Sequence, residues 1–368
     1  MHVVNADTGA APTQPAALAA AGGRLRRSWP TLLGAAVLLV VFVPLAWHAS
    51  ALVWSGALAI GVAFAPAAIG VYLTFRVLDF PDLTVDAALP AGAAIAATLA
   101  IDGVDPWLAM LAAFGVGAAM GAVTGLAHLG LRINSLLASI LTVTAAYTVN
   151  LRIQGQANLS LLGVDTIFTP FVGRFRRMLE ALWGATGVQI HRNVTTLVVA
   201  LVVLAVIVGG LAWFMRTEVG IALRATGTNP QMSRGAGIDT RRYLVAGVAF
   251  SNGLVGVSGA LVAQHQGFAD VNSGAGMIIA GLAAVIIGEV LLGGPARSLT
   301  RNLIAVSVGM IVYRVAISLT LAADIDLPLL DPIRLDATDV RLATSVVVAL
   351  CLAIPLLKRR RTAPRGRA

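Results

Sequence analysis

The chain has 368 residues, of which 58% are hydrophobic and 12% are charged, whereas an ordinary soluble domain carries about 25% charged residues. A mean hydropathy of +0.87 and long apolar runs exclude a soluble globule and indicate an all-α, polytopic membrane protein. The net charge of +9 does not point to nucleic acid, because the basic residues flank apolar runs. The single cysteine, Cys351, excludes an intrachain disulfide and a thiolate metal cluster. We expect no metal site.

The apolar runs predict about ten transmembrane helices, since most of them approach the length of roughly 20 residues that crosses a bilayer. The predicted segments are 31–47, 52–74, 88–101, 107–127, 133–150, 193–215, 243–265, 274–292, 302–323 and 340–357. Lys and Arg gather on the side that holds both termini, and Asp on the opposite side. This asymmetry predicts that both termini are cytoplasmic.

The N-terminal region raises the question of a signal peptide, because segment 31–47 follows three arginines in residues 24–27. It lacks a clear small-residue cleavage site, so we expect a retained helix. Residues 1–30 are then a cytoplasmic tail, 31–357 the transmembrane domain and 358–368 a basic cytoplasmic tail.

The third segment is short because Asp82, Asp86 and Pro90 lie on one side of it and Asp102 on the other. A short apolar helix beside polar residues is typical of a broken or re-entrant element whose free backbone groups are satisfied inside the protein. The sequence Phe-Pro-Asp-Leu (80–83) precedes this segment, and Phe-Ala-Asp-Val (268–271) precedes the eighth. These are equivalent places in a five-plus-five inverted repeat, although coincidence explains four residues equally well.

The loop between the sixth and seventh segments, residues 216–242, is polar and punctuated by glycine. Asn229 is a good N-cap, Pro230 suits the first helical position and Gly237 can adopt a left-handed conformation at the end. We therefore predict a helix of about two turns after an amphipathic stretch over 217–225. Such a short helix must dock to be stable, either on lipid headgroups or in a groove of a cytoplasmic partner.

This loop resembles the coupling-helix segment of permease subunits in bacterial ATP-binding-cassette (ABC) importers of the branched-chain amino acid and ribose-type superfamily. The matching residues are Gly220, Arg224, Ala225, Gly227, Asn229, Pro230, Gly237 and Ile238. The resemblance extends from about Gly56 to Leu356 and includes 74–86, 136–142, 150–153, 259–264 and 267–270. It is closest to an uncharacterised branch whose partners are described as amino-acid importers, in some cases for aromatic amino acids. The chain departs from the pattern in its extension over 1–50 and in Ala87-Ala88, where a glycine often follows Asp86.

The resemblance implies a multi-pass protein of the bacterial inner membrane that works as a transport subunit rather than an enzyme. Its expected partners are a second permease copy, two cytoplasmic ATPase subunits and an extracytoplasmic substrate-binding protein. The only lysine is Lys358, so the chain has no phosphate-binding loop, and ATP and Mg²⁺ are expected on the partner ATPase. The residues expected to couple to that ATPase are Glu218, Gly220, Arg224, Gly227, Asn229, Pro230 and Gly237.

Polar residues in or beside the apolar segments are the candidates for the substrate path. Asp82 and Asp86 could cap a helix at the cytoplasmic boundary or bind a cation or a substrate ammonium group. Asn252 could line the path or bond across helices, and Arg314 could pair with Glu289 or line the path. We predict the substrate entrance, or a docking site for the binding protein, on the far face at Asn150, Arg152, Gln154, Asn158, Asp270 and Asn272.

Two further features have a predicted structural role. Residues 174–183 contain a basic cluster and apolar side chains, which is typical of a helix on the outer surface or of an ordinary solvated loop helix. The spacing of Gly117, Gly121 and Gly125 indicates a face for close helix packing.

Other functions explain the sequence less well. The Gly-Val-Ser-Gly sequence at 256–259 resembles an intramembrane serine protease motif, but His265 would lie about 10 Å away along the helix, which is too far for a catalytic base. A secondary transporter or channel would also have glycine-rich packing and broken helices. It would need titratable groups deep in the membrane, where Arg314 is the clear candidate, and it would leave the docking loop without a role. An amino acid is the expected cargo through the resemblance alone.

Overall fold

The computed structural model describes the backbone of residues 50–292 and 298–322, and the side chains of these residues except 172–187 and 320–322. Helix α1 (Ala51–Tyr72) continues as a π-helix (Leu73–Val77). The other helices are α2 (Val85–Ile101), α3 (Pro106–Leu131), α4 (Ser135–Gln154), α5 (Thr169–Phe214), α6 (Glu218–Thr228), α7 (Pro230–Gly235), α8 (Thr240–Gln266), α9 (Met277–Leu292) and α10 (Leu299–Ala322). Strands β1 (Asn158–Ser160) and β2 (Phe268–Asp270) pair antiparallel.

Six helices in the described part of the chain are long and apolar enough to cross a membrane, and α2 and α9 are shorter apolar helices. The all-α, multi-pass architecture is confirmed. Segments 31–47 and 340–357 lie outside the described residues, as do the predicted tails 1–30 and 358–368. The total of ten helices and the extent of the domain therefore stay predictions.

Helix α8 lies at the centre of the bundle, packed against α1, α2 and α3. Glycine makes this packing possible. A Cβ on Gly117 would lie 2.3 Å from the Asn252 carbonyl oxygen, one on Gly121 2.4 Å from that of Val248, and one on Gly92 2.1 Å from that of Gly256. The predicted packing face of α3 is confirmed, and α8 is the helix that it contacts.

The region before the sixth segment differs from its prediction. Residues 169–214 form one continuous helix, α5, so the basic cluster at 174–177 is not on a separate surface helix. Pro170 stands at the start of α5, where proline is favoured. No later proline interrupts the helix, and its internal glycines weaken a helix without ending it.

The predicted broken element lies between the π-helix and α2. Asp79 has φ 52°, a left-handed conformation that ends the helix, and Pro81 lies in the non-helical stretch that follows. Helix α2 begins only at Val85, and its Gly92 contacts Gly256 of α8. Helix α2 therefore begins inside the bundle, and α2 and α9 each follow one of the two similar four-residue sequences. The inverted repeat itself stays a prediction.

Candidate functional site

Helices α6 and α7 are capped as the sequence predicts, at the end of the bundle that we call the coupling end. The Gly220 N–H donates to Thr217 Oγ1 at 3.3 Å, which caps α6. The Met232 N–H donates to Asn229 Oδ1 at 3.0 Å, and Pro230 occupies the first turn of α7. Gly237 has φ +82°. The predicted short helix after Asn229 is present as α7, and the amphipathic stretch before it forms a second helix, α6.

Two of the predicted coupling residues hold the segment in place instead of facing outward. A Cβ on Gly227 would lie 1.9 Å from the Val77 carbonyl oxygen, and one on Gly220 would lie 2.4 Å from that of Phe214. Leu223 and Thr226 of α6 are buried as well. Helix α6 therefore packs directly on the end of the π-helix at Gly227 and on the end of α5 at Gly220, and the two glycines allow these close approaches.

The other predicted coupling residues are exposed: Glu218, Arg224, Asn229, Pro230 and Gly237. Two apolar side chains that the sequence analysis missed accompany them, since Ile221 is 56% exposed and Met232 is 68% exposed. Both are large apolar residues isolated in a polar loop, and this was the sequence signal that could have identified them. An exposed face of this kind suits a helix that docks in a groove of a partner.

Asp82 lies deep in the bundle, not at the coupling end where it was predicted. Its side chain is fully buried, with one oxygen accepting the Thr84 N–H at 2.8 Å and the other accepting from Asn252 Nδ2 at 2.6 Å. Asn252 lies near the middle of α8, so its partner Asp82 also lies near the middle of the bundle. Hydroxyl groups continue this network, because Thr84 Oγ1 lies 2.6 Å from Thr124 Oγ1. Asp82 and Asn252 thus bond across helices.

Asp86 has a different partner, so the two carboxylates do not form a shared cation site. Its oxygens accept the Gly276 N–H at 3.3 Å and the Ile278 N–H at 2.9 Å, which caps α9 from a neighbouring helix. A Cβ on Gly274 would lie 1.9 Å from the Asp86 carbonyl oxygen. Asp82 lies in the non-helical stretch before α2 and Asp86 in the first turn of α2, which explains why the predicted common face is absent.

The structure does not show the pair between Arg314 and Glu289, which was one of the two roles considered for Arg314. Glu289 binds Arg76 at 2.7 Å, with side chains 20% and 47% exposed, at the coupling end of α1. The Arg314 guanidinium lies 3.4 Å from the centre of the Phe64 ring. Its Nε is buried and has no hydrogen-bond partner among the described residues. The sequence could not give this arrangement, because the partners come from different helices.

The predicted entrance residues separate into two groups. Asn150 is buried and donates to the Ala87 carbonyl at 3.3 Å, so it joins α4 to α2 and is not on the far face; Gln154 is buried as well. Asn158 pairs with Asp270 across the two strands, and the Asn272 N–H donates to Asp270 Oδ1 at 2.9 Å. Arg152 is exposed. Asn158, Asp270 and Asn272 thus come together at the far end of the bundle, opposite the coupling end.

A cavity of about 580 Å³ opens at this far end, and we call it the far-end cavity. It contains two of the predicted path residues, Asp270 and Arg314. The other side chains that matter for its chemistry, which the sequence analysis did not single out as a site, are Phe64, Phe268, Ser273 and Tyr313. Their positions in three separate parts of the sequence explain why no motif marked them.

The comparisons with known proteins agree with this architecture. The family described as the permease component of the branched-chain amino acid transport system matches residues 55–354. The chain belongs to this family. It is 31% identical to the tyrosine transport system permease protein of Clostridioides difficile over 286 residues, which cover 78% of this chain and 85% of that protein.

Other relatives are named for different transported solutes. The chain is 26% identical to a probable branched-chain amino acid transport permease protein of Methanocaldococcus jannaschii, over 68% of this chain and 82% of that protein. It is 25% identical to the ribose import permease protein of Escherichia coli, over 58% of this chain and 62% of that protein. No solved structure matches the chain. The protein is therefore a multi-pass membrane permease of an ABC importer, and its family transports solutes.

Proposed function

We propose that this permease imports an amino acid, driven by ATP that separate cytoplasmic ATPase subunits bind with Mg²⁺ and hydrolyse. The amino-acid relatives support this cargo. The matches to the tyrosine and branched-chain amino acid permeases cover 85% and 82% of those proteins, and the match to the ribose permease covers 62%. The family description names the same class of cargo.

The proposed complex contains two copies of the chain, two ATPase subunits and a binding protein on the outer side of the inner membrane. Both termini and the coupling end are cytoplasmic in this arrangement. The distribution of Lys and Arg supports the orientation. A separate ATPase is required for an ABC importer whose permease has no phosphate-binding loop.

The exposed face of α6 and α7 is the proposed contact with the ATPase, and it carries the proposal. Arg224, Ile221 and Met232 supply one cation and two apolar side chains on that face. Charge and apolar area together suit a helix held in a groove. The close contacts of Gly220 and Gly227 then keep this face attached to the membrane helices.

A contact chain leads from this face to the interior of the bundle. Gly227 lies against Val77 and Leu78, and the Leu78 side chain lies against Gly247 of α8. The non-helical stretch that follows Leu78 contains Asp82, whose side chain accepts a hydrogen bond from Asn252 of α8. A displacement of α6 by the ATPase would therefore reach α2 and α8, as a two-state transporter requires.

Substitution of Arg224 tests the proposal. We expect Arg224→Glu to reduce co-purification of the cognate ATPase subunit, because it reverses one charge on the contact face. Arg152→Glu, an equal charge change at the far end, is the matched control and should leave co-purification intact. Equal co-purification of both variants with the ATPase would contradict the coupling assignment.

Ligand screening of the cognate binding protein tests the cargo class, and accumulation of that cargo in vesicles without an ATPase would favour a secondary transporter.

A further inference from the structure

The far-end cavity contains a cation whose charge the described residues do not neutralise by an ion pair. Arg314 enters the cavity from α10 with its guanidinium over the Phe64 ring at 3.4 Å, and its buried Nε has no hydrogen-bond partner in the described part of the chain. Glu289, the acid predicted to pair with it, binds Arg76. A guanidinium in an apolar site is stabilised by an anion with two acceptor oxygens.

The same cavity also contains an acid, and a hydroxyl group that has no hydrogen-bond partner among the described residues. Asp270 is half-buried, and its Oδ1 accepts the Asn272 N–H; an ionised carboxylate can accept several more hydrogen bonds. The Ser273 hydroxyl is buried without a hydrogen-bond partner among the described residues. A buried polar group left unpaired is unfavourable, so the Ser273 hydroxyl is suited to meet a ligand, and the remaining acceptor positions of Asp270 are suited to meet a donor.

The start of α9, which also borders the cavity, is not the anion site. Asp86 already accepts the N–H groups of Gly276 and Ile278 and supplies the negative charge that a helix N-terminus favours. Arg314 is therefore the group in the described cavity wall that can bind a carboxylate.

We propose that the far-end cavity recognises the zwitterionic head of an α-amino acid, with Arg314 binding its carboxylate and Asp270 its ammonium group. This inference rests on the amino-acid importer function proposed above and assigns cargo recognition to this chain as well as to the binding protein. The rings of Phe64, Phe268 and Tyr313 offer an apolar surface for the amino-acid side chain. The volume of about 580 Å³ lies within the usual range of roughly 300–1,000 Å³ for small-molecule sites.

A neutral sugar would fit this chemistry less well. A sugar offers hydroxyl groups but no charge, so it would leave the guanidinium in a low-dielectric site without a counter-ion. An amino acid supplies one charge of each sign, and both charged walls of the cavity are then matched.

A cysteine-protection assay on the purified full-length chain tests the proposal. In a Cys351→Ser background, Ala275→Cys places a thiol in the cavity wall, at an exposed position. The matched control is Gly130→Cys, at the exposed end of α3, where nothing lies within 4 Å of an added Cβ. The labelling rate is measured with L-phenylalanine, with phenethylamine, which lacks the carboxylate, and with 3-phenylpropionate, which lacks the ammonium group, at equal concentrations.

We expect L-phenylalanine to slow labelling at position 275 and not at position 130, and both analogues to protect much less. Arg314→Gln should weaken protection by L-phenylalanine roughly tenfold or more, the usual effect of losing a hydrogen bond to a charged group. Arg314→Lys, which keeps the charge but not the paired donors, should fall between. In Asp270→Asn, protection by 3-phenylpropionate should rise relative to the parent chain, because the acid that repels this anion has lost its charge.

Equal protection by the three probes, or protection unchanged in Arg314→Gln, would overturn the assignment, since the cavity would then select apolar bulk alone. Absence of protection at position 275 with L-phenylalanine would overturn it as well. The assay does not involve the ATPase. A failure here with normal ATPase co-purification would therefore remove this inference, whereas protection without co-purification would remove the coupling assignment.

Discussion

The contact between Gly227 and the end of the π-helix makes a sharp prediction about coupling. A Cβ at position 227 would lie 1.9 Å from the Val77 carbonyl oxygen and 2.7 Å from Leu78 Cα, whereas ordinary contacts begin at 3.4 Å. Both neighbours are backbone atoms, which cannot rotate away as a side chain can. In Gly227→Ala, α6 must therefore move outward by about 1.5 Å, or the end of the π-helix must move instead.

The energetic effect of this substitution can be bounded. Overpacking by a methyl group typically costs about 1–3 kcal/mol. This corresponds to a roughly 5- to 150-fold loss in the population of molecules in which α6 packs against the end of the π-helix. Leu223 and Thr226, now buried, would become partly exposed. The bundle around α8 should keep its stability, because α6 packs on its surface.

The assay is co-purification of the ATPase subunit with detergent-solubilised Gly227→Ala, together with the thermal unfolding midpoint of the permease alone. Gly235→Ala is the matched control, since it adds the same methyl group to α7 at a position with nothing within 4 Å. We expect Gly227→Ala to lose most of the ATPase with little change in the midpoint, and Gly235→Ala to keep it. If Gly227→Ala retained as much ATPase as Gly235→Ala, the contact between Gly227 and the end of the π-helix would not govern coupling.

Three further predictions concern the bundle. Gly92→Val should prevent accumulation of folded protein in the membrane, because its Cβ would lie 2.1 Å from the Gly256 carbonyl oxygen; Gly115→Val, with nothing within 4 Å, should accumulate normally on a membrane immunoblot. Asp86→Ala leaves the capped N–H groups of α9 unpaired, so its unfolding midpoint should fall by more than that of Asp86→Asn, whose amide oxygen still accepts; equal midpoints would argue against the cap. Glu289→Gln should destabilise by no more than about 1 kcal/mol, because a partly exposed ion pair contributes little, and a larger loss in denaturant titration would show that the pair is better shielded than its exposure indicates.

The sequence alone predicts most of the coupling segment, because the signals there are local. Asn229 caps the helix that follows it, Pro230 begins that helix and Gly237 adopts a left-handed conformation, and each property belongs to one residue and its immediate neighbours. The sequence does not reveal that Gly220 and Gly227 face inward. For Gly227 the distinction depends on the end of the π-helix, far away in the chain, and for Gly220 it depends on how the chain folds back on the end of α5.

The polar residues of the membrane domain were harder to place, because their partners come from other helices. Hydropathy puts Asp82 at a membrane boundary, yet the chain runs non-helical past it and the side chain meets Asn252 deep in the bundle. Asn150 was assigned to the far face, but α4 continues past it to Gln154 and buries it. Arg314 was recognised as unusual, although its contact with Phe64 was not. Hydropathy identifies apolar helices, but it does not give the depth of one helix relative to another in the membrane.

The account depends most on the claim that a cytoplasmic ATPase holds the exposed face of α6 and α7. A photo-crosslinking amino acid at Met232, which is 68% exposed, tests it in native membranes, with the same group at the exposed Asn158 of the far end for comparison. We predict an adduct with the ATPase subunit from position 232 and none from position 158. An ATPase adduct from position 158, or no ATPase adduct from position 232, would contradict the account.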